Sequence, residues 1–304
     1  MTFHSGFGCL VGRPNVGKSS LTNAMVGQKV AITSNRPQTT RHAIRAIVNR
    51  PEAQLVMVDT PGLHRPRTLL GERLNDLVRA TWSEVDTVGL CMPADARPGP
   101  GDRFIAGELA KLRRTPVLVV LTKMDLVDPE AGAAALVAAH DACVAAGLDV
   151  AEVVPVSAET GLNVDLAVEL FCRQLPEGPQ LYPSDIVTDE PEEVLVAELI
   201  REAALEGVRD ELPHSIAVTV EEMNVREGRA DDAPLLDVYA TIHVERESQK
   251  PIIIGRKGSR LAAVGRQSRM AIQALLGTPV YLDLHVRVAK DWQRDSKQLR
   301  RLGF

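Results

Sequence analysis

The 304-residue sequence predicts an α/β domain with a mostly parallel sheet, followed by a smaller α+β domain of different element order. Three observations lead there. Between residues 6 and 175, short β-branched or apolar runs alternate with helical patterns, as in strands joined by crossover helices. Directly after the first such run, Gly12-Arg13-Pro14-Asn15-Val16-Gly17-Lys18-Ser19 fits the phosphate-binding pattern G-x-x-x-x-G-K-[ST]. Beyond a Pro-rich stretch at 176–191 the order of helices and strands changes.

Length alone favours two domains, because 304 residues exceed what one core usually supports, and 45% apolar residues can fill both cores. No apolar run of about 18 residues and no signal-like opening is present, so a cytoplasmic location is expected, with peripheral association at the cytoplasmic face of the membrane also open, and a monomer is the expected state. Cys9, Cys91, Cys143 and Cys172 are scattered among apolar residues without a C-x-x-C pair, which predicts buried thiols rather than disulfides or a metal site. The net charge of −5 is unevenly spread. Residues 250–304 hold twelve Lys/Arg against three Asp, or +9, leaving −14 for the rest, and such a basic segment suits a polyanion or a solvated helix face.

Taken in order, strands are predicted near 6–11, 44–49, 54–58, 86–92, 117–122 and 152–156. A helix from Ser19 to Val26 follows the loop, and one over about 68–82 places Leu70, Leu74, Leu77 and Val78 on a core-facing stripe. Residues 176–191 are rich in Pro and lack periodicity, which predicts a linker between a first domain over 1–175 and a second over 192–304. The second domain reads as a helix at about 192–208, strands near 215–222 and 235–245, and two helical pieces broken at Gly255-Arg256-Lys257-Gly258. A strand then alternates Val280, Leu282, Leu284, Val286 and Val288 against Tyr281, Asp283, His285 and Arg287, before a closing helix at about 290–302.

The glycine-rich loop aims backbone N–H groups and a helix N-terminus at an anion, with Lys18 reaching β- and γ-phosphates and Ser19 ligating Mg²⁺. Downstream residues select the nucleotide. Asp59-Thr60-Pro61-Gly62 ends a predicted strand, where the carboxylate holds Mg²⁺ through water and the Gly62 N–H senses the γ-phosphate. Thr122-Lys123-Met124-Asp125 ends another, where a Lys stem lies on a purine and a carboxylate accepts from two adjacent N–H groups, a pair that guanine has and adenine lacks. Ser157-Ala158 would offer backbone N–H groups to the guanine O6. In Gln38-Thr39-Thr40-Arg41-His42, either threonine could bring a hydroxyl to Mg²⁺, with Thr40 favoured.

These motifs, with Glu-Leu-Pro-His-Ser at 211–215 and Ile253-Ile254-Gly255-Arg256-Lys257-Gly258, resemble the Era family of bacterial GTPases over essentially the whole chain. The resemblance implies a P-loop GTPase domain joined to a type II KH domain that binds 16S rRNA near its 3′ end and assists assembly of the 30S subunit. It implies nucleotide contacts across residues 12–19, 59–62, 122–125, 157 and 158, and RNA contacts from Ile253 to Gly258 with Arg260, Arg266 and Arg269. The family usually has Asn where this chain has Thr122, which keeps a hydroxyl but loses an amide's paired donor and acceptor. The predicted order of helix, two strands, two helices and a strand, with G-x-x-G between the last helices, is by itself that of a type II KH fold, whose loop clamps single-stranded nucleic acid.

Catalysis is expected to rest on Asn15, Lys18, Thr40 and Gly62, since Leu63 stands where related GTPases carry a water-orienting Gln and His64 has no acid partner in sequence. No arginine finger is evident, so turnover should be slow. Several similar GTPases hold potassium with the asparagine at the position of Asn15. The alternative expectation is an RNA-binding protein whose G domain senses nucleotide but hydrolyses it weakly.

Overall fold

The computed structural model describes residues 2–33, 40–41, 43–63, 68–112, 114–208, 215–229 and 233–304. The chain divides into two compact units, residues 1–67 with 71–189, and residues 190–304 with 68–70.

The first unit is built on a six-stranded sheet of order β2-β3-β1-β4-β5-β6. Its strands are β1 (His4–Val11), β2 (Ile44–Arg50), β3 (Ala53–Asp59), β4 (Thr87–Pro93), β5 (Val117–Thr122) and β6 (Glu152–Pro155). Only β2 pairs antiparallel, with β3. Every residue of β3, β4 and β5 is buried, because helices cover both faces of a parallel sheet, and this produces the continuous apolar runs visible in the sequence. Alternate residues serve opposite cores. Val117, Val119 and Leu121 join Val78 and Trp82 of α2 (Leu69–Glu84), Ile105 and Leu109 of α3 (Pro100–Leu109), and Ala139 and Cys143 of α4 (Pro129–Ala145). Leu118 and Val120 join Leu21 and Met25 of α1 (Lys18–Val26) and Val168 and Phe171 of α5 (Val164–Cys172).

Residues 176–189, expected as linker, lie along this unit as a strap. The Ile47 N–H donates to Val187 O at 2.8 Å, Ala46 bridges Thr188, and Arg45 pairs with Asp189 at 3.0 Å, so the outer edge of β2 is covered. Gln54 clamps the strap: its fully buried amide donates to Tyr182 O (2.8 Å) and Asn49 Oδ1 (2.7 Å) and accepts from Leu181 N (2.7 Å) and Tyr182 N (2.8 Å).

In the second unit, β7 (Ala217–Val225), β8 (Leu236–Val244) and β9 (Val280–Val288) form a sheet of that order, β7–β8 antiparallel and β8–β9 parallel. Helices α6 (Glu192–Leu205), α7 (Lys250–Ile254) and α8 (Ser259–Leu276) complete the helix, strand, strand, helix, helix, strand order. The buried stripe of α8 is Val264, Ser268 and Ile272, while Leu261, Ala271 and Leu275 lie only partly buried. The closing helix is shorter than expected. Only Ser296–Arg301 is α-helical (α9), because Asp291 adopts φ 48°, Trp292 is buried with its Nε1 donating to Ser215 O (3.0 Å), and Asp295 caps the helix.

Candidate functional site

Four strand ends, those of β1, β3, β5 and β6, and one helix start converge at the carboxyl edge of the first sheet, where α/β folds bind ligands. β1 runs into the loop 12–17, and α1 begins at Lys18. Gly17 (φ 94°) precedes α1 without a side-chain cap, so the first N–H groups of the helix remain for an anion. Asn15 sits at φ 62°, a left-handed conformation that Asn tolerates. The cleft in front is lined by Pro14, Asn15, Gly17, Lys18, Ser19, Ser20, Ile32, Thr33, Thr40 and Gly62.

Lys18 is nearly buried, with Nζ donating to Gly12 O (3.3 Å) and Arg13 O (3.1 Å). Ser19 Oγ donates to Asp59 Oδ2 at 2.7 Å and lies 2.9 Å from Thr40 Oγ1, which itself donates to Asp59 Oδ2 at 3.2 Å. Burial drives the Asp59 carboxyl pKa up and that of Lys18 down, each shift partly offset by the other's charge. The remaining oxygen, Asp59 Oδ1, is buried without a hydrogen-bond partner. Two hydroxyls and a carboxylate with an unsatisfied oxygen form a hard donor set that fits Mg²⁺. Of the two threonines, Thr40 meets this cluster, while Gln38, Thr39, His42 and His64 fall outside the described residues.

Other expected residues act through the backbone or through neighbours. The Val16 side chain is buried in the core, Thr60 is buried with its hydroxyl on Leu10 O (2.9 Å), and Met124 packs against the core. Gly62 lies against Pro14 so closely that a Cβ would approach Pro14 N at 2.9 Å and Cα at 3.1 Å. Pro61 is buried beside it, and Leu63 packs into the core, consistent with no part in chemistry. Thr122 Oγ1 donates to Val16 O (2.5 Å) and has Met92 O 3.2 Å away as the alternative acceptor, so its hydroxyl ties the β5 end to the phosphate loop.

Around the base position, Lys123 takes φ 60°, and exposed Asp125 accepts from Ser157 Oγ at 2.6 Å. One correction follows. The Ser157 N–H donates to Leu162 O (3.1 Å), so Ser157 serves through its hydroxyl, and Ala158 is the member of that pair left to offer a backbone donor to O6. The Arg13 guanidinium donates through Nε to Asp102 at 2.8 Å.

In the second unit, the loop between α7 and α8 holds Gly255 at φ 75°, where a Cβ would meet Arg260 N at 2.8 Å, so glycine is required. Arg256 and Lys257 are exposed. Beside them runs a groove lined by Gly258, Leu261, Ala262, Gly265, Arg266, Arg269, Leu282 and Leu284. Two expected contacts are corrected. Ile253 is fully buried in the core, and Arg260 turns back to donate to Ala204 O (3.1 Å) and Glu206 O (2.6 Å), satisfying carbonyls left open at the end of α6. Leu282 and Leu284, on the apolar face of the alternating strand, line the groove.

A family model described as 50S ribosome-binding GTPase matches residues 8–123, and one described as KH domain matches residues 211–293. GTPase Era of Streptomyces coelicolor is 66% identical over 300 residues, 99% of this chain and 95% of the relative. The chain belongs to the Era family of GTPases. Crystal structures of an Aquifex aeolicus Era variant bound to GDP·AlF4⁻, and of Era with MgGDPNP and nucleotides 1506–1542 of 16S ribosomal RNA, each match with TM-score 0.92. Their identities are 35% and 36%, covering 99% of both chains in each comparison.

Proposed function

We propose that the chain binds and hydrolyses GTP in the unit ending at residue 189, and that the unit from residue 190 binds the 3′ region of 16S rRNA during 30S assembly. The observation that carries the reading is the shared sheet edge on which the Ser19–Thr40–Asp59 cluster and the Asp125–Ser157 pair both stand. A carboxylate aimed at N1–H and the exocyclic amine selects guanine, while Lys18 and the amides of residues 15–19 hold the phosphates. Ser19, Thr40 and Asp59 would hold Mg²⁺, which supplies charge to the β- and γ-oxygens. Gly62 N–H donates to the γ-phosphate as water attacks in line, the bond to the bridging oxygen breaks, the water's proton passes to an oxygen of the transferred phosphoryl group, and GDP and phosphate leave. Among the described residues no side chain stands as a base for the water, so positioning carries the rate.

Asn15 lines the mouth of this cleft, and its amide oxygen is a fitting ligand for potassium, whose charge would take the place of an arginine finger. GTP hydrolysis is therefore expected to run faster in KCl than in NaCl at equal ionic strength, and Asn15→Ala to erase the difference. Equal rates in the two salts would exclude the ion.

For RNA, the apolar floor of Leu261, Leu282 and Leu284 suits unstacked bases, and Arg256, Lys257, Arg266 and Arg269 suit phosphates. An Era complex containing nucleotides 1506–1542 of 16S rRNA supports that partner. The test is affinity for this RNA segment across a salt series. Replacing Arg256 and Lys257 by Asp should weaken binding and flatten the salt slope by about 1.4, at about 0.7 per neutralised phosphate on a single strand. An unchanged slope would remove the loop from the interface. We further propose that the protein works in the cytoplasm as a monomer, with peripheral association at the inner face of the membrane through its basic segment.

A further inference from the structure

We infer that Asp102 is a positioning residue for the γ-phosphate contact, acting through Arg13 on the stretch of phosphate loop against which Gly62 rests. Asp102 is fully buried in the first turn of α3, and both its oxygens are used: Oδ2 accepts from Gly99 N at 2.7 Å and Oδ1 from Arg13 Nε at 2.8 Å. The first bond is enough to cap the helix. The second has no role in α3, and it takes a charged pair partly out of water, a cost that favours a task beyond stability.

That task is visible in what Arg13 holds. Its side chain is confined between Asp102 and Gly101, where a Cβ would stand 2.9 Å from Arg13 Cδ. Its carbonyl accepts from Lys18 Nζ, and the next residue, Pro14, is the surface that Gly62 touches. Asp102, Arg13, Pro14 and Gly62 thus form a series from α3 to the group that reads the γ-phosphate. The α- and β-phosphates are served by residues 15–19, downstream of the pin. Loosening the pin lets Pro14 shift and changes how Gly62 approaches GTP, while GDP is held as before.

The inference rests on the cleft being a GTP site, and GDP binding by the wild-type chain tests that separately. On the full chain, Asp102→Asn, Arg13→Gln and the double variant are compared for GDP affinity, affinity for a non-hydrolysable GTP analogue, and single-turnover hydrolysis, with thermal unfolding as a fold control. The expected result is GDP affinity within about twofold of wild type, with analogue affinity and hydrolysis each down about tenfold or more, as small misplacements of reacting groups cost. The double variant should be no worse than the worse single one, since both break the same link. Gly101→Ala, which keeps both charges but crowds Arg13, should show the same selective loss if the charge variants do not fold. Equal losses for GDP and the analogue, or additive effects in the double variant, would overturn the inference.

Discussion

Asp125→Asn is expected to exchange guanine for xanthine specificity, lowering GDP affinity by about a hundredfold or more while XDP binding appears. The structure shows why the exchange should be clean. Ser157 Oγ donates to Asp125 Oδ1 at 2.6 Å and itself accepts from Thr160 N at 3.2 Å, so its proton is directed at residue 125. An asparagine can keep that bond through its own carbonyl oxygen, which turns its NH₂ toward the base. Guanine then faces donor with donor, whereas the second carbonyl of xanthine accepts. Titration of fluorescent GDP and XDP into both proteins measures it. Wild-type GDP affinity in the variant would take Asp125 out of the base site.

Gly62→Ala is expected to slow hydrolysis by about a hundredfold or more, the scale of losing one preorganised donor to developing charge. A Cβ at this position would meet backbone, Pro14 N at 2.9 Å and Pro14 Cα at 3.1 Å, so residue 62 or the phosphate loop must move. GDP makes no use of the displaced contact, and its affinity should stay within a few-fold. Single-turnover phosphate release against GDP binding separates the two effects. A wild-type hydrolysis rate would show that the Gly62 N–H does not serve the γ-phosphate.

The parts of this protein that sequence makes legible are those set by local pattern. Val117–Leu121 reads as a buried strand because both faces of β5 meet helices, and the loop between Val11 and Lys18 reads as a phosphate site because its residue types follow from the backbone it must adopt. Contacts between distant residues carry no such pattern. Gln54 looks like any polar residue in a strand, yet its amide fastens Leu181 and Tyr182, more than 120 positions away, and turns a Pro-rich stretch into a strap. Arg260 follows a G-x-x-G loop and carries the right charge for RNA, but the open carbonyls at the end of α6 claim it. Trp292 interrupts what periodicity reads as one closing helix, because its burial against Ser215 O and its stacking on Phe304 at 5.4 Å override local helix preference. Asp102 belongs to no motif, and only its burial beside Arg13 reveals it.

The most direct test of the account is phosphate release from GTP and from ATP, measured side by side with Mg²⁺ on the wild-type chain and on Ser19→Ala prepared identically. The account predicts slow release from GTP that the Ser19 variant lacks, and none above background from ATP. Equal release from both nucleotides, or release from GTP at the wild-type rate by Ser19→Ala, would contradict it.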